Sequence, residues 1–274
     1  MKSSTEFNRE VLVASRLARD AGDLILQIYH TDFAVQSKGQ DGPVTEADRR
    51  ASELIVAELR RQFPNDLVVS EEEPIDPAVA MHDRVWYVDP LDGTHEFIAR
   101  NGEFAVMIGL AIDGTARAGV VYQPTTKQLY AGIAGRQAWL EGKAGRTPVM
   151  VSAETDPRRL RLVVSRSHRH RLLDEIRACL DITDELQMGS VGLKIGSLVT
   201  RHADIYIDPS SVTNLWDSCA PEAILHGAGG RLTDVDGAPL HYSPLHLRNT
   251  RGLVATNGRC HDYVIQQLRR VVGL

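Results

Sequence analysis

Near the start of the chain, apolar residues recur at steps of three and four: Ala14, Leu17, Ala18, Ala21, Leu24, Ile25 and Ile28. That period lays them along one face of an amphipathic helix. A polar, glycine-bearing stretch follows, SKGQDGP (37–43). Thr45 then opens a second helical stripe, Ala51, Leu54, Ile55 and Leu59, stopped by Pro64. Beyond it the pattern changes to short β-like runs. LVVS (67–70) leads into Glu71, Glu72 and Glu73, and VWYV (85–88) leads into DPLDGT. FAVMIGLAI (104–112) and AGVVY (118–122) flank Asp113-Gly114 and predict a hairpin, because Asp-Gly suits a tight turn. QLYAGIA (128–134) and AWLE (138–141) predict further strands.

A loop near Lys143–Pro148, with basic residues after it, predicts a change of subdomain near residue 150. The expected division is an N-terminal α+β unit over 1–150 and a C-terminal α/β unit over 151–274. In the second unit RLVVS (161–165), ADIYI (203–207) and GLVAT (252–256) read as strands. Helices are expected near His170–Leu180, Val191–Thr200, Ala220–Gly227 and His261–Val272. Helices and strands mix without strict βαβ alternation and without a fixed-period repeat, so the fold class is α/β in the layered, α+β sense.

Composition narrows the function classes. With 274 residues the chain can bury a substantial core, and 31 Lys+Arg against 36 Asp+Glu leave a formal charge of −5. Mild acidity argues against a nucleic-acid polymer as partner, for which a basic surface is expected. It leaves an anionic small molecule open, because a metal ion reverses the local sign. No apolar run reaches a membrane span, and MKSSTEFNRE lacks a signal-peptide pattern, so a cytoplasmic location is expected. Cys179, Cys219 and Cys260 are widely spaced and form no CxxC pair, which fits inert thiols rather than a disulfide framework or a zinc ribbon.

The chemistry lies in the acids. Glu71 follows LVVS, Asp89 and Asp92 follow VWYV, and Asp217 follows Trp216 at the start of a small-residue helix. Carboxylates at strand ends converge on one crevice in open α/β sheets, and hard oxygen donors suit Mg²⁺ or Mn²⁺. Within DPLDGT, Pro90 fixes a bend and Gly93 permits an unusual φ, so Asp89 and Asp92 can face one site with the Leu91 carbonyl between them. Thr45 and Asp48 have the spacing of a helix capping box, a purely structural role that is compatible with Asp48 also reaching the crevice.

VTEAD, SEEEP, VDPLDGTHEF, RNGEFAV and TNLWDSCAPE, spread over about residues 40–235, resemble the inositol monophosphatase superfamily of lithium-sensitive, magnesium-dependent phosphatases. Glu-Phe after DGT, then RNGEF, SRSH (165–168) and Gly189-Ser190 followed by Leu193-Lys194, are similar to its 3′(2′),5′-bisphosphate nucleotidase (CysQ-type) branch. The resemblance implies an αβαβα five-layer sandwich. It implies two or three Mg²⁺ ions, with Mn²⁺ as a substitute and Li⁺ as an inhibitor, held by Glu71, Asp89, the Leu91 carbonyl, Asp92 and Asp217. It gives catalytic roles to Asp48, Thr94 and Glu71, the first two activating a water. It places a small phosphorylated substrate against Gly93, Thr94, His168, Ser190, Lys194 and Asp217, and leaves a homodimer open. Two departures bear on the substrate. Val191 stands where a second Ser is usual, and Asp208 where many nucleotidases have an Arg suited to a second phosphate.

Other candidates carry less. The basic cluster from Arg158 to Arg171 reads first as a solvated face, with Arg166 or His168 as a possible nucleotide contact. Trp86, Trp139 and Trp216 read as core rather than base-stacking platforms. The sequence lacks G-x-S-x-G, a P-loop and H-E-x-x-H, against serine-hydrolase, P-loop and zincin chemistry. The expected activity is therefore a magnesium-dependent phosphomonoesterase converting adenosine 3′,5′-bisphosphate to AMP. An inositol or sugar monophosphatase is the alternative, with fructose 1,6-bisphosphate a more distant substrate. A non-catalytic nucleotide or metal sensor is a remote reading from another class.

Overall fold

The structure, a computed structural model, describes residues 7–37, 39, 43–74, 82–167 and 169–272. Helix α1 (Asn8–Tyr29) buries the expected stripe, with Leu24 at its edge. Strands β1 (Val35–Ser37) and β2 (Pro43–Thr45) pair antiparallel where the sequence suggests only a polar stretch. Three residues each are too few to show a period. Helix α2 (Glu46–Gln62) starts on the predicted capping box: Ala47 N–H donates to the Thr45 hydroxyl, and Thr45 N–H donates to Asp48.

Strand β3 (Leu67–Ser70) runs parallel to β4 (Arg84–Asp92). After the short helix α3 (Thr94–Ile98), an antiparallel meander follows. It comprises β5 (Ala105–Ile112), β6 (Thr115–Gln123), β7 (Gln128–Ile133), β8 (Gln137–Gly142) and β9 (Gly145–Val149). The seven strands lie in chain order across one sheet. The loop expected near Lys143–Pro148 is mostly β9, an edge strand. Its polar, exposed residues hide the alternation, Pro148 is tolerated at an edge, and Arg146 stacks 3.5 Å from the Trp139 ring centroid.

The second half supplies β10 (Arg161–Ser165), α4 (Leu173–Cys179), β11 (Asp184–Met188), α5 (Val191–Val199) and β12 (Ile205–Asp208). Helix α6 (Leu215–Gly227), β13 (Arg231–Thr233), β14 (Leu253–Thr256) and α7 (His261–Val272) complete it. These five strands form a mixed sheet in the order β11-β10-β12-β14-β13. The polar edge strand β11 gives no sequence signal. Helix α6 starts at Leu215 rather than at Ala220, which leaves Pro221 in the helix interior. A proline there has no N–H for the carbonyl of Asp217, four residues back.

Period-two alternation sorts the core into layers. On β5, Val106, Ile108 and Leu110 pack with α1 and α2, while Ala105 and Met107 face α5 and α6. On β12, Tyr206 joins that central layer, whereas Ile205 and Ile207 face α4 and α7. The result is the αβαβα sandwich: α1 and α2, the larger sheet, α5 and α6, the smaller sheet, then α4 and α7.

Helix α6 lies unusually close to the larger sheet because Gly109, Gly119 and Gly132 stand in register on neighbouring strands. A Cβ on Gly119 would come within 2.3 Å of the Ala220 carbonyl oxygen, and one on Gly109 within 2.5 Å of the Ala220 nitrogen. Trp86 and Trp139 are buried in the core, and Trp216 is half-buried against the packing around α6.

Candidate active site

Asp89 and Asp92 are three apart, an odd spacing that would send them to opposite faces of a regular strand. A bulge corrects this. Asp89 is opposite Met107 and Asp92 opposite Ala105, so three steps on β4 span two on β5, with Pro90 in the extra turn of chain. The predicted bend is thus a re-aiming of the second aspartate. Next to it, the pairing of β3 with β4 continues one residue further, Glu71 N–H donating to the Val88 carbonyl at 3.1 Å. Glu71 therefore stands beside Asp89, close enough for its charge to act on both Asp89 and Asp217.

Asp217 comes from the first turn of α6 rather than from a strand end. One carboxylate oxygen from each of Asp89, Asp92 and Asp217 lies within 4.8 Å of the others. Burial pushes the Asp89 carboxyl well up from its ordinary range, and the charges of Glu71, Asp92 and Asp217 push it further. Asp217 is raised by burial and by the charges of Asp92 and Glu71, although the residue is only half-buried. Asp92 is raised by burial, against which the Lys194 charge, the Ser190 hydroxyl and the Gly192 N–H at 2.9 Å support its ionised form. Crowded, shielded carboxylates of this kind become favourable when hard cations replace their protons, so the donor set fits a divalent metal.

The predicted water-activating pair sits at the edge of this cluster. The Thr94 hydroxyl is 3.1 Å from Asp48 Oδ1, with the Leu91 carbonyl oxygen at 3.3 Å as its other acceptor. The capping box holds the opposite oxygen, Asp48 Oδ2, through Thr45 N–H at 2.8 Å and the Thr45 hydroxyl at 2.6 Å. Asp48 is 1% exposed, and burial raises its pKa against these hydrogen bonds. One residue before Thr94, Gly93 takes φ +96°, the left-handed region that favours glycine.

The cleft beyond is lined by Ser190, Lys194 and Asp208, and by a less polar wall of His170, Leu173, Tyr206, Pro209 and Val212. Ser190 caps α5 and donates to Asp92, so it joins the second half of the chain to the acid cluster. Lys194 is buried, its ammonium 5.4 Å from the Tyr206 ring centroid. Burial lowers its pKa, while Asp92, Glu96, Asp208 and Asp217 favour its charged form. Val191, the first residue of α5, also lines the cleft.

Arg166 is engaged elsewhere: its guanidinium forms a bidentate pair with Glu103, which also accepts Gly189 N–H at 2.7 Å. His168 lies outside the described residues. Arg158, Arg159, Arg161 and Arg169 each pair with an acid away from the cleft lining. Sequence reasoning missed Glu96, which is buried, accepts from the Ser167 hydroxyl and acts on Lys194. It also missed Glu103. Both lie in motifs that carry the family resemblance, HEF and RNGEF, but their partners are more than sixty residues away, so the motifs do not show these contacts.

The inositol monophosphatase family profile matches residues 8–272. The chain belongs to the inositol monophosphatase family. Its chemistry is that of a metal-dependent phosphatase. The 3′(2′),5′-bisphosphate nucleotidase CysQ of Escherichia coli K12 is 39% identical over 233 residues, covering 84% of this chain and 92% of the relative. The human 3′(2′),5′-bisphosphate nucleotidase 1 is 31% identical, covering 95% and 94%. Among solved structures, CysQ from Bacteroides thetaiotaomicron matches with a TM-score of 0.79 at 31% identity, covering 93% of this chain and 99% of that one. The Thermotoga maritima IMPase shares the fold at 24% identity, with a TM-score of 0.82 and 97% and 98% coverage. Among the described residues of this family member, no helix is long and apolar enough to cross a membrane.

Proposed function

We propose that this inositol monophosphatase-family protein is a magnesium-dependent 3′(2′),5′-bisphosphate nucleotidase that removes the 3′-phosphate of adenosine 3′,5′-bisphosphate and leaves AMP. The observation that carries the hydrolytic half of the reading is the Asp48–Thr94 hydrogen bond beside the acid cluster. When Thr94 donates to Asp48 Oδ1, a lone pair of the Thr94 hydroxyl is left to accept a proton from a water. As that water attacks phosphorus and the bond from phosphorus to the 3′-oxygen breaks, the water proton passes to Thr94 Oγ1 while the threonine proton moves to Asp48, and the leaving 3′-oxygen takes a proton from solvent. Burial already raises the affinity of Asp48 for a proton, as a general base requires. Glu71, Asp89, the Leu91 carbonyl, Asp92 and Asp217 would hold two or three Mg²⁺, with Mn²⁺ as a substitute and Li⁺ as an inhibitor. Bound there, the ions would neutralise charge on the phosphoryl oxygens, make the attacking water more acidic and stabilise the leaving oxygen.

Gly93, Thr94, Ser190, Lys194 and Asp217 belong to the substrate contacts in this reading, and His168 is kept with them from the sequence. The wall of His170, Leu173, Pro209 and Val212 suits a flat nucleobase better than a polyhydroxylated ring. Lys194 supplies a cation facing Asp208, where relatives of the branch would offer an Arg. The names of the curated relatives support the same substrate class. The division near residue 150 is part of the proposal. The first unit supplies Glu71, Asp89 and Asp92, and the second supplies Asp217 and most of the cleft wall. The free cysteines Cys179, Cys219 and Cys260 suit a reducing, cytoplasmic compartment. The test is kcat/KM for adenosine 3′,5′-bisphosphate against inositol 1-phosphate, in Mg²⁺ with and without Li⁺. A preference for the nucleotide of at least about tenfold, about 1.4 kcal/mol in the barrier, is expected. Preference for the inositol ester overturns the substrate and favours the inositol-phosphatase reading.

A further inference from the structure

We infer that Asn249 is a positioning residue for the acid cluster, holding the start of α6 so that the Asp217 carboxylate points at the cation site. The inference rests on the metal reading above.

Asp217 needs such a device because no strand register places it. From the helix side its orientation is held by one peptide group, Asn214 N–H donating to Asp217 Oδ2 at 2.6 Å, while the Asp89 side chain is its hydrogen-bond partner on the strand side. That N–H shares a planar peptide with the Thr213 carbonyl, so fixing the carbonyl fixes the direction of the N–H. Asn249 N–H donates to this same Thr213 carbonyl at 2.9 Å. The Asn249 side chain then holds the next peptide, its Nδ2 donating to the Asn214 carbonyl at 2.7 Å. The second Nδ2 hydrogen is shared between the Ser218 hydroxyl at 3.3 Å and the Thr213 hydroxyl at 3.4 Å.

The brace is therefore attached on both sides of the cap residue and to the residue following Asp217. Neighbouring chain reinforces it: Leu215 N–H donates to the Leu247 carbonyl at 2.7 Å, and Asn214 and Arg248 form an antiparallel bridge. Asn249 is 5% exposed, so water cannot readily replace the bonds of its amide. Thr213 also lines the cleft, which ties the brace to the substrate wall.

An alanine at 249 keeps the main-chain bond and removes the side-chain ones. The Thr213–Asn214 peptide then keeps only its main-chain anchor, the Asn214 carbonyl and Ser218 are released, and the aim of Asp217 loosens. Partners that orient metal ligands are typically worth about 10- to 100-fold in metal affinity. The experiment is a calorimetric Mn²⁺ titration, without substrate, of the wild-type chain, Asn249→Ala, Asp217→Asn and the double variant, with a thermal melt of each. The expected result is about tenfold weaker Mn²⁺ binding in Asn249→Ala, and no further weakening when it is added to Asp217→Asn. A lower melting temperature with unchanged Mn²⁺ affinity, or an additive loss in the double variant, overturns the inference and leaves Asn249 merely structural. If Asp217→Asn itself leaves Mn²⁺ binding unchanged, the metal reading of Asp217 fails first. Should Asn249→Ala not fold, Asn249→Ser, which keeps a donor of shorter reach, is titrated in its place with the same expected and overturning results.

Discussion

The acid cluster draws on two regions that place their carboxylates by different means. Glu71, Asp89 and Asp92 ride on the ends of the paired strands β3 and β4, where register and a single bulge set their directions. Asp217 rides on α6, which has no register with those strands. Its place comes from a groove of glycines under the helix and from the brace at 247–249. The strand arm is set mainly by the pairing of β3, β4 and β5, with Ser190 and Gly192 reaching Asp92 from the second half. The helix arm depends on chain segments that meet only in the folded protein. Chemistry shared by such arms fails in two ways: by losing a donor on the strand side, or by losing the support of the donor on the helix side.

The largest effect is expected from removing a strand-borne donor. Asp89→Asn keeps the size of the side chain and its place on β4, and should lower kcat/KM by about 10³-fold or more, several kcal/mol in the barrier. Steady-state phosphate release measures it. Because the bulge and the pairing with β5 do not depend on the Asp89 charge, the melting temperature should not fall; relief of repulsion can raise it. Activity within tenfold of wild type would remove Asp89 from the cluster.

A smaller effect is expected on the helix arm, and it depends on pH. Glu222 of α6 is buried, donor to nothing when ionised, and accepts from the Tyr242 hydroxyl. Burial pushes its pKa up to about 7 from an ordinary 4.5. The folded state thus binds the proton more tightly than the unfolded chain. Stability is fullest below pH 4.5 and falls as pH rises through 7, by about 3 kcal/mol in all if each pKa unit is worth about 1.4 kcal/mol. Glu222→Gln keeps an acceptor for Tyr242 and has no charge to bury. Relative to wild type it should gain about 3 kcal/mol between pH 4 and pH 8 by chemical denaturation. An equal difference at both pH values would show that Glu222 is not held protonated under the helix.

The same contrast explains what was legible in the sequence. The Thr45–Asp48 capping box, the bend at Pro90 and the φ of Gly93 follow from local residue chemistry, and each stands where spacing predicts it. The Asp48–Thr94 contact came from the family resemblance and joins residues on α2 and α3. Glu96 and Glu103 stood in quoted motifs without a role, and Asn249 in none, because the meaning of all three lies in partners brought by other segments. Strands β9 and β11 were missed because edge strands with polar faces carry little alternation. The range Ala220–Gly227 began α6 late because a proline such as Pro221 suits a first helical turn, whereas the placing of Asp217 at the start of a small-residue helix agrees with the structure.

In the proposed function the Asp89, Asp92 and Asp217 cluster works only by holding divalent cations for phosphate-ester hydrolysis. The most direct measurement is phosphate release from adenosine 3′,5′-bisphosphate by protein stripped with a chelator and then titrated with Mg²⁺. Activity should fall to the background level after stripping and return in full on adding Mg²⁺. Full activity in the stripped protein, with no response to Mg²⁺, would contradict that role.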